Sequence, residues 1–211
     1  MMMKKMYFLL VMLVASGLIA NAQNDVNAKK VLDGVSAKLK TFKGVTAGFS
    51  YSTKDRKNVK KGSVSGQISV KGQQYYIKQG TTEIFCNGAK TWNYNGENEV
   101  TVSDVDNDSR TLTPQKLLSN FYDKDFTYKL VSSAGNYNEI QMTPLDNRKN
   151  FKQVNVFVDK SKNLITKARV VDKSDNIIEF ALNNINTNAT LPDSKFVFNE
   201  KQHPGVEVIT N

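Results

Sequence analysis

The chain has 211 residues, with 29 Lys and Arg against 20 Asp and Glu, a single Cys and a single His. The lone Cys excludes an intramolecular disulfide, so stability has to come from an apolar core. The basic surplus is scattered among Asp, Asn and Ser, with Lys60-Lys61 its densest cluster, and reads as a solvated surface in preference to a nucleic-acid site, with attraction to anionic lipid headgroups or to an acidic partner patch left open.

The first residues read as an export signal. Lys4 and Lys5 precede an apolar run from Tyr7 to Ile19, and Ala20-Asn21-Ala22 offers small residues for cleavage after Ala22. That run is too short for a membrane-spanning helix, which needs about 20 residues. Removing residues 1–22 from 211 leaves 189, a size suited to one domain over 23–211. The 29 basic residues lose Lys4 and Lys5, so 27 against 20 acids leave +7. No Cys follows the apolar run, so no lipid is expected on the new N-terminus, and the cleaved chain is expected to be soluble.

The mature part opens with an amphipathic helix. Ala28, Val31, Leu32, Val35, Leu39 and Phe42 share one helical face, Asn24 or Asp25 can cap its start, and Gly44 is placed to end it. From Val45 the period becomes two. Val45, Ala47, Phe49 and Tyr51 alternate, followed by Val64, Ile68 and Val70, then Tyr75 and Ile77. Ile84 to Cys86, Trp92 and Tyr94, and Val100 and Val102 continue the series. Gly72, Gly80, Asn87-Gly88 and Asn95-Gly96 punctuate these runs, and Asn-Gly favours tight hairpins. The pattern predicts an antiparallel meander.

A polar loop from Ser103 to Arg110 leads to a short helix. Thr113 can cap it, Pro114 fits its first turn, and Leu117, Leu118 and Phe121 lie together. Strand patterns then resume through Phe126, Tyr128 and Leu130, and through Tyr137, Ile140 and Met142. Val154, Val156 and Val158 alternate, then Leu164, Ala168 and Val170, then Ile178, Phe180 and Leu182. Phe196 to Phe198 and Val206 to Ile209 read as closing strands. A single sheet of this size has to curl to bury its apolar face.

The chain lacks the parts of an active site. His203, beside Pro204, reads as a solvated turn residue with no orienting partner for base chemistry. One His and one Cys far apart do not make a metal site. No nucleophile elbow, phosphate-cradling loop or dinucleotide fingerprint occurs, so neither enzyme activity nor a cofactor is expected. Glu97 and Glu99 fit a solvated strand edge, and Cys86 fits a buried inert thiol. The inward apolar surface could be a packed core or a cavity for an apolar ligand.

The order of parts resembles the outer-membrane lipoprotein carrier (LolA-like) family. Helix 25–42 feeds a strand at Val45 to Tyr51, and Ser65-Gly66-Gln67-Ile68-Ser69-Val70 is a glycine-containing second strand. Asn87-Gly88 with Trp92-Asn93-Tyr94-Asn95 is similar to the family's hairpin, and Thr113-Pro114 with Leu117-Leu118 to its short helix. Asp172 to Asn176 resembles a late turn. Phe196-Val197-Phe198 with Pro204-Gly205-Val206-Glu207-Val208-Ile209 resembles the closing motif.

The resemblance implies an incomplete antiparallel β-barrel of ten or eleven strands (mainly β, α+β), lidded by helices over an apolar cavity. It implies a monomeric periplasmic carrier of triacylated lipoproteins, released by an inner-membrane ABC transporter and delivered to the outer membrane, where a receptor could accept them. The concave face is expected to carry Phe49, Val64, Ile68, Val70, Tyr75, Ile77, Trp92 and Tyr94, with Val154, Val156, Phe180 and Leu182 lining the far half. Leu117, Leu118 and Phe121 belong to the expected lid. Lys71 stands where the family fastens its lid with an arginine, and it offers a point charge in place of a planar fork. A binder of a fatty acid or glycolipid, and a non-carrier sensor domain with a solid core, are the alternative readings.

Overall fold

The computed structural model describes residues 24–105, 122 and 125–210. The export signal and the expected helix with Leu117, Leu118 and Phe121 lie outside the described residues.

Helix α1 (Val26–Leu39) forms where the sequence spaces apolar residues by three and four. Asp25 caps it: its Oδ1 accepts from the Asn27 and Ala28 amides at 2.7 and 3.2 Å. The helix ends at Leu39, ahead of Gly44. Ala28, Leu32 and Val35 are fully buried, and such burial of a Leu or Val stabilises the fold by roughly 1.5–3 kcal/mol.

Six strands follow in a meander: β1 (Val45–Lys54), β2 (Lys60–Lys71), β3 (Gln74–Gln79), β4 (Thr82–Cys86), β5 (Lys90–Tyr94) and β6 (Glu99–Asp104). A second meander comprises β7 (Phe126–Ser132), β8 (Tyr137–Pro144), β9 (Phe151–Asp159), β10 (Leu164–Asp172) and β11 (Ile177–Asn186). Two short 3₁₀ turns, Asp193–Phe196 and Glu200–Gln202, lead to β12 (Glu207–Thr210). Phe196 to Phe198, expected as a strand, therefore begins as the end of a helical turn.

The twelve strands among the described residues join one open sheet in the order β12-β6-β5-β4-β3-β2-β1-β11-β10-β9-β8-β7. The expected incomplete barrel is present, with twelve strands against the expected ten or eleven. Every pairing is antiparallel except β12 on β6, which is parallel. Local turn chemistry sets the hairpins. Asn87 Oδ1 accepts from the amides of Ala89 and Lys90, and Asn95 Oδ1 from those of Glu97, Asn98 and Glu99.

The junction between the meanders is β1 on β11, with Phe49 opposite Leu182 and Tyr51 opposite Phe180. The Phe49 and Phe180 rings stack at 6.1 Å. The Phe49 ring also lies over β2 at Gly66. A Cβ there would sit 2.7 Å from Phe49 Cζ and 2.2 Å from the Lys78 carbonyl oxygen.

Gly66→Ala is therefore expected to destabilise the protein by about 2 kcal/mol, as overpacking of a tight contact does. A urea titration that leaves the midpoint unmoved would show that β2 does not depend on this close approach.

Candidate functional site

The side chains of the two meanders sort by register into an inner face, on which α1 packs, and an outer face. On the inner face Val45, Ala47, Phe49 and Tyr51 of β1 stand opposite Val70, Ile68, Gly66 and Val64 of β2. Ile68 and Val70 oppose Ile77 and Tyr75, which in turn oppose Ile84 and Cys86. Across the junction the same face continues through Leu182 and Phe180 to Ala168, Val156 and Val154. Ile140, Met142, Tyr128 and Leu130 complete it toward the β7 edge.

The structure thus brings Phe49, Ile68, Val70, Ile77, Val154, Val156, Phe180 and Leu182 into one buried cluster, with Tyr75 partly buried against it. Val64 lies on the same face, half-buried. Burial, then the neighbouring Cys86, pushes the Tyr75 hydroxyl up to about 12. The Cys86 thiol is buried, and its Sγ accepts from the Gly88 amide at 3.4 Å. The α1 residues Leu32 and Val35 also belong to the cluster, as do Ile140, Met142 and Ile165. Apart from Ile165, their helical and alternating spacing was visible in the sequence, but neither periodicity says which elements meet. A register shift between Ile165 and Lys167 brings Ile165 into the cluster where alternation points to Leu164.

Trp92 and Tyr94 do not share this face. Ile84 is opposite Asn93, and Cys86 opposite Thr91, so the inner positions of β5 are polar. Trp92 pairs with Phe85 on one side and Val102 on the other, on the outer face. The expected concave placement of Trp92 and Tyr94 is thereby corrected. A strand has two faces, and its pairing register alone decides which one is buried with a given neighbour.

The outer face of the first meander has its own apolar cluster, Phe85, Val100 and Phe198 with Tyr76, Trp92, Tyr94 and Val206 packed on it. The C-terminal tail supplies its cover. His203 is drawn into it, stacked on Phe198 at 4.5 Å and edge-on to Tyr94 at 4.7 Å. Its Nδ1 lies 3.0 Å from the Asn199 carbonyl and its Nε2 3.5 Å from Glu83 Oε2. The expectation of a solvated turn histidine is corrected, because the tail folds back over aromatic residues distant in sequence. Glu83 is buried beneath it. Burial alone would raise its carboxyl, but hydrogen bonds to Oε1 from Lys78 Nζ and the Tyr76 hydroxyl, each 2.7 Å, hold it below its ordinary value.

Lys71 ties the end of β2 to the segment before the tail. Its Nζ lies 2.7 Å from Asp193 Oδ1 and donates to the Leu191 carbonyl at 3.2 Å. Among the described residues that is its role; the lid side chains it was expected to meet lie outside them. No group of His, Cys, Asp and Glu suited to a metal ion occurs among the described residues.

The profile of a family described as outer membrane lipoprotein carrier protein LolA matches residues 40–199. No curated protein matches significantly. An uncharacterized conserved protein from Thermus thermophilus superposes with a TM-score of 0.58 at 10% identity, covering 88% of this chain and 99% of that one. A LolA superfamily protein from Nitrosomonas europaea gives 0.46 at 13% identity over 81% and 97% of the two chains. LprF from Mycobacterium bovis gives 0.41 at 10% identity over 80% and 97%.

Two outcomes are expected. Trp92 is the single tryptophan, so a brominated fatty acid held on the inner face should quench its fluorescence little; strong contact quenching would mean that the ligand sits on the outer face. Glu83 and Glu179 are held below 4.5, and Asp159, paired with Lys162 and Ser161, far below 3.8. Their ionised forms therefore favour the fold above those values, and that contribution is lost as pH falls through the lower folded-state values. The urea midpoint should drop on acidification below 4.5, and Glu83→Gln should flatten that slope. An unchanged slope would mean that Glu83 contributes nothing to it.

Proposed function

Since the chain belongs to the outer-membrane lipoprotein carrier family, LolA, we propose that it is a non-catalytic periplasmic carrier of triacylated lipoproteins. Its inner face receives the acyl chains released by an inner-membrane ABC transporter and shields them on the way to the outer membrane. The observation that carries this reading is the continuous apolar inner face, running from β4 across the β1–β11 junction to β7. Helix α1 packs against β7 and β10, so it covers the second meander. On the first meander, Val64, Tyr75 and Ile84 keep part of their surface accessible on the same apolar face. Acyl chains would spread there.

The energetics explain why such a protein works with an ATP-driven partner. Burying a methylene is worth about 0.8 kcal/mol, so a chain of about fifteen carbons represents on the order of 12 kcal/mol against water. A bilayer already supplies that gain, so apolar contact with the carrier does not extract lipid by itself. Binding also has to be loose enough for delivery, which suits a cover that opens for cargo and closes over the empty site.

The test is a release assay with spheroplasts that synthesise labelled lipoproteins and contain the matching transporter. A soluble one-to-one complex that requires the acyl chains is the expected result. Val64→Asp, at a half-buried inner position, should lower the recovered complex about tenfold, the ratio that 1.4 kcal/mol makes. No release by folded protein, with a fatty acid or glycolipid recovered by extraction and mass spectrometry, would overturn the lipoprotein assignment.

A further inference from the structure

The outer face at the middle of the sheet has a feature that acyl binding on the inner face does not use. A trough of about 550 Å³ opens between β2 and β8, and among the described residues its walls are sheet residues. Its floor is low because Ser50 and Ser52 of β1 stand beside Ala181 of β11 and Ser63 of β2. The next strands raise one wall, where Lys167 pairs with Ala181 and with Phe157. Tyr137 extends that wall, with Lys167 Nζ 4.6 Å from the centre of its ring.

Cations dominate the rim. Lys60, Lys167 and Arg169 face the trough, with Glu179 the carboxylate among them. That carboxylate is already compensated: Lys54 Nζ lies 2.7 Å from Oε2 and an Arg169 nitrogen 2.9 Å from Oε1. Lys54 and Arg169 accordingly hold it below its ordinary value. Glu139, on the neighbouring strand, accepts from Asn155 Nδ2 at 2.7 Å and is not part of the wall. Among the described residues neither Lys60 nor Lys167 has a carboxylate partner. The Lys60 ammonium and that of Lys167, set against the Tyr137 ring, stand at the rim above a floor of hydroxyl groups. Such donors can give charge-assisted and neutral hydrogen bonds to an anion in the trough. Phe157 and Tyr137 offer an apolar wall to whatever carries it.

We propose that this trough is a second binding site, taking a phosphoryl group. The site lies on the face of the sheet opposite the acyl-binding surface and stands or falls independently of the carrier reading. The phosphoryl group has two sources, a phospholipid headgroup at a bilayer surface or a free phosphate ester. Both meet the same cations, and binding to either weakens as salt screens them.

The experiment uses the purified protein with two probes. Glycerol 1-phosphate is titrated into isotope-labelled protein and followed by amide NMR. Vesicles of phosphatidylglycerol, or of phosphatidylcholine alone, are tested by flotation. The expected result is perturbation confined to Ser50, Ser52, Ser63, Lys167 and their neighbours, or flotation with phosphatidylglycerol only. Lys60→Glu with Lys167→Glu should weaken whichever is seen about tenfold or more, since each cation near an anionic surface counts separately. Lys30→Glu with Lys43→Glu makes the same change of charge elsewhere and should leave it within about twofold, as screened distant charges do. All four positions are surface side chains, and equal urea midpoints will show the variants folded. Perturbation by the ester without flotation assigns the free ester as ligand, and flotation lost on the trough exchange assigns the headgroup. Equal weakening by both pairs, or no localised response to either probe, overturns the proposal.

Discussion

The pairing of β1 with β11 is the constraint on which the rest of the molecule depends. It joins strands from opposite ends of the sequence, so its closure carries a long-loop entropy cost that the neighbouring hairpins do not. Without it there would be two separate meanders, each with an unpaired edge. With it, Phe49 meets Leu182 and Tyr51 meets Phe180, and the inner face becomes continuous. A slip of one residue would turn Phe49 and Tyr51 outward and bring the row containing Ser50 and Ser52 into the core. The stacked Phe49 and Phe180 rings, seated over Gly66, oppose that slip.

The apolar side of the sheet is not the same along its width. The buried apolar cluster that runs from β3 across the β1–β11 junction to β7 lies on the face of α1, whereas Phe85 of β4 and Val100 and Val102 of β6 are buried on the opposite face. A sheet with apolar patches on opposite faces needs two covers, and the chain provides one from each end. Helix α1 covers the second meander, anchored further by the Tyr122 hydroxyl, which donates to the Leu32 carbonyl. The C-terminal tail covers the first meander with Phe198, His203 and Val206. Lys71 and Asp193 fix where that tail departs.

The same two ends manage the edges of the sheet. The outer edge of β7 is met by the start of α1: Asn24 Oδ1 accepts from the Tyr128 amide and Asp25 Oδ2 from the Leu130 amide, at 2.9 and 3.1 Å. Asp25 thus caps a helix and closes a strand edge at once, which blunts a surface that would otherwise invite another strand. At the far side β12 lies parallel along β6 and takes over as a short edge of four residues. The large sheet stays open, but its exposed edges are brief.

Local chemistry determined much of this. The helix at Val26–Leu39, the alternating strands and the Asn-Gly turns follow from periodicity and from side chains that bond their own backbone, all of which act over a few residues. Of the twelve positions expected on the concave face from alternation, the ten on β1 to β3, β9 and β11 do share one face. Trp92 and Tyr94 could not be placed the same way, because alternation gives a strand two faces without saying which is covered. That choice belonged to the tail, whose Phe198 and His203 reach residues a hundred positions away. The parallel docking of β12, the burial of Glu83 and the trough at Ser50 and Ser52 likewise exist only once distant strands are in register. Sequence fixes what each segment can be through short-range sterics and hydrogen bonding, while tertiary structure decides which side of it meets water, because burial depends on partners brought together by the chain as a whole.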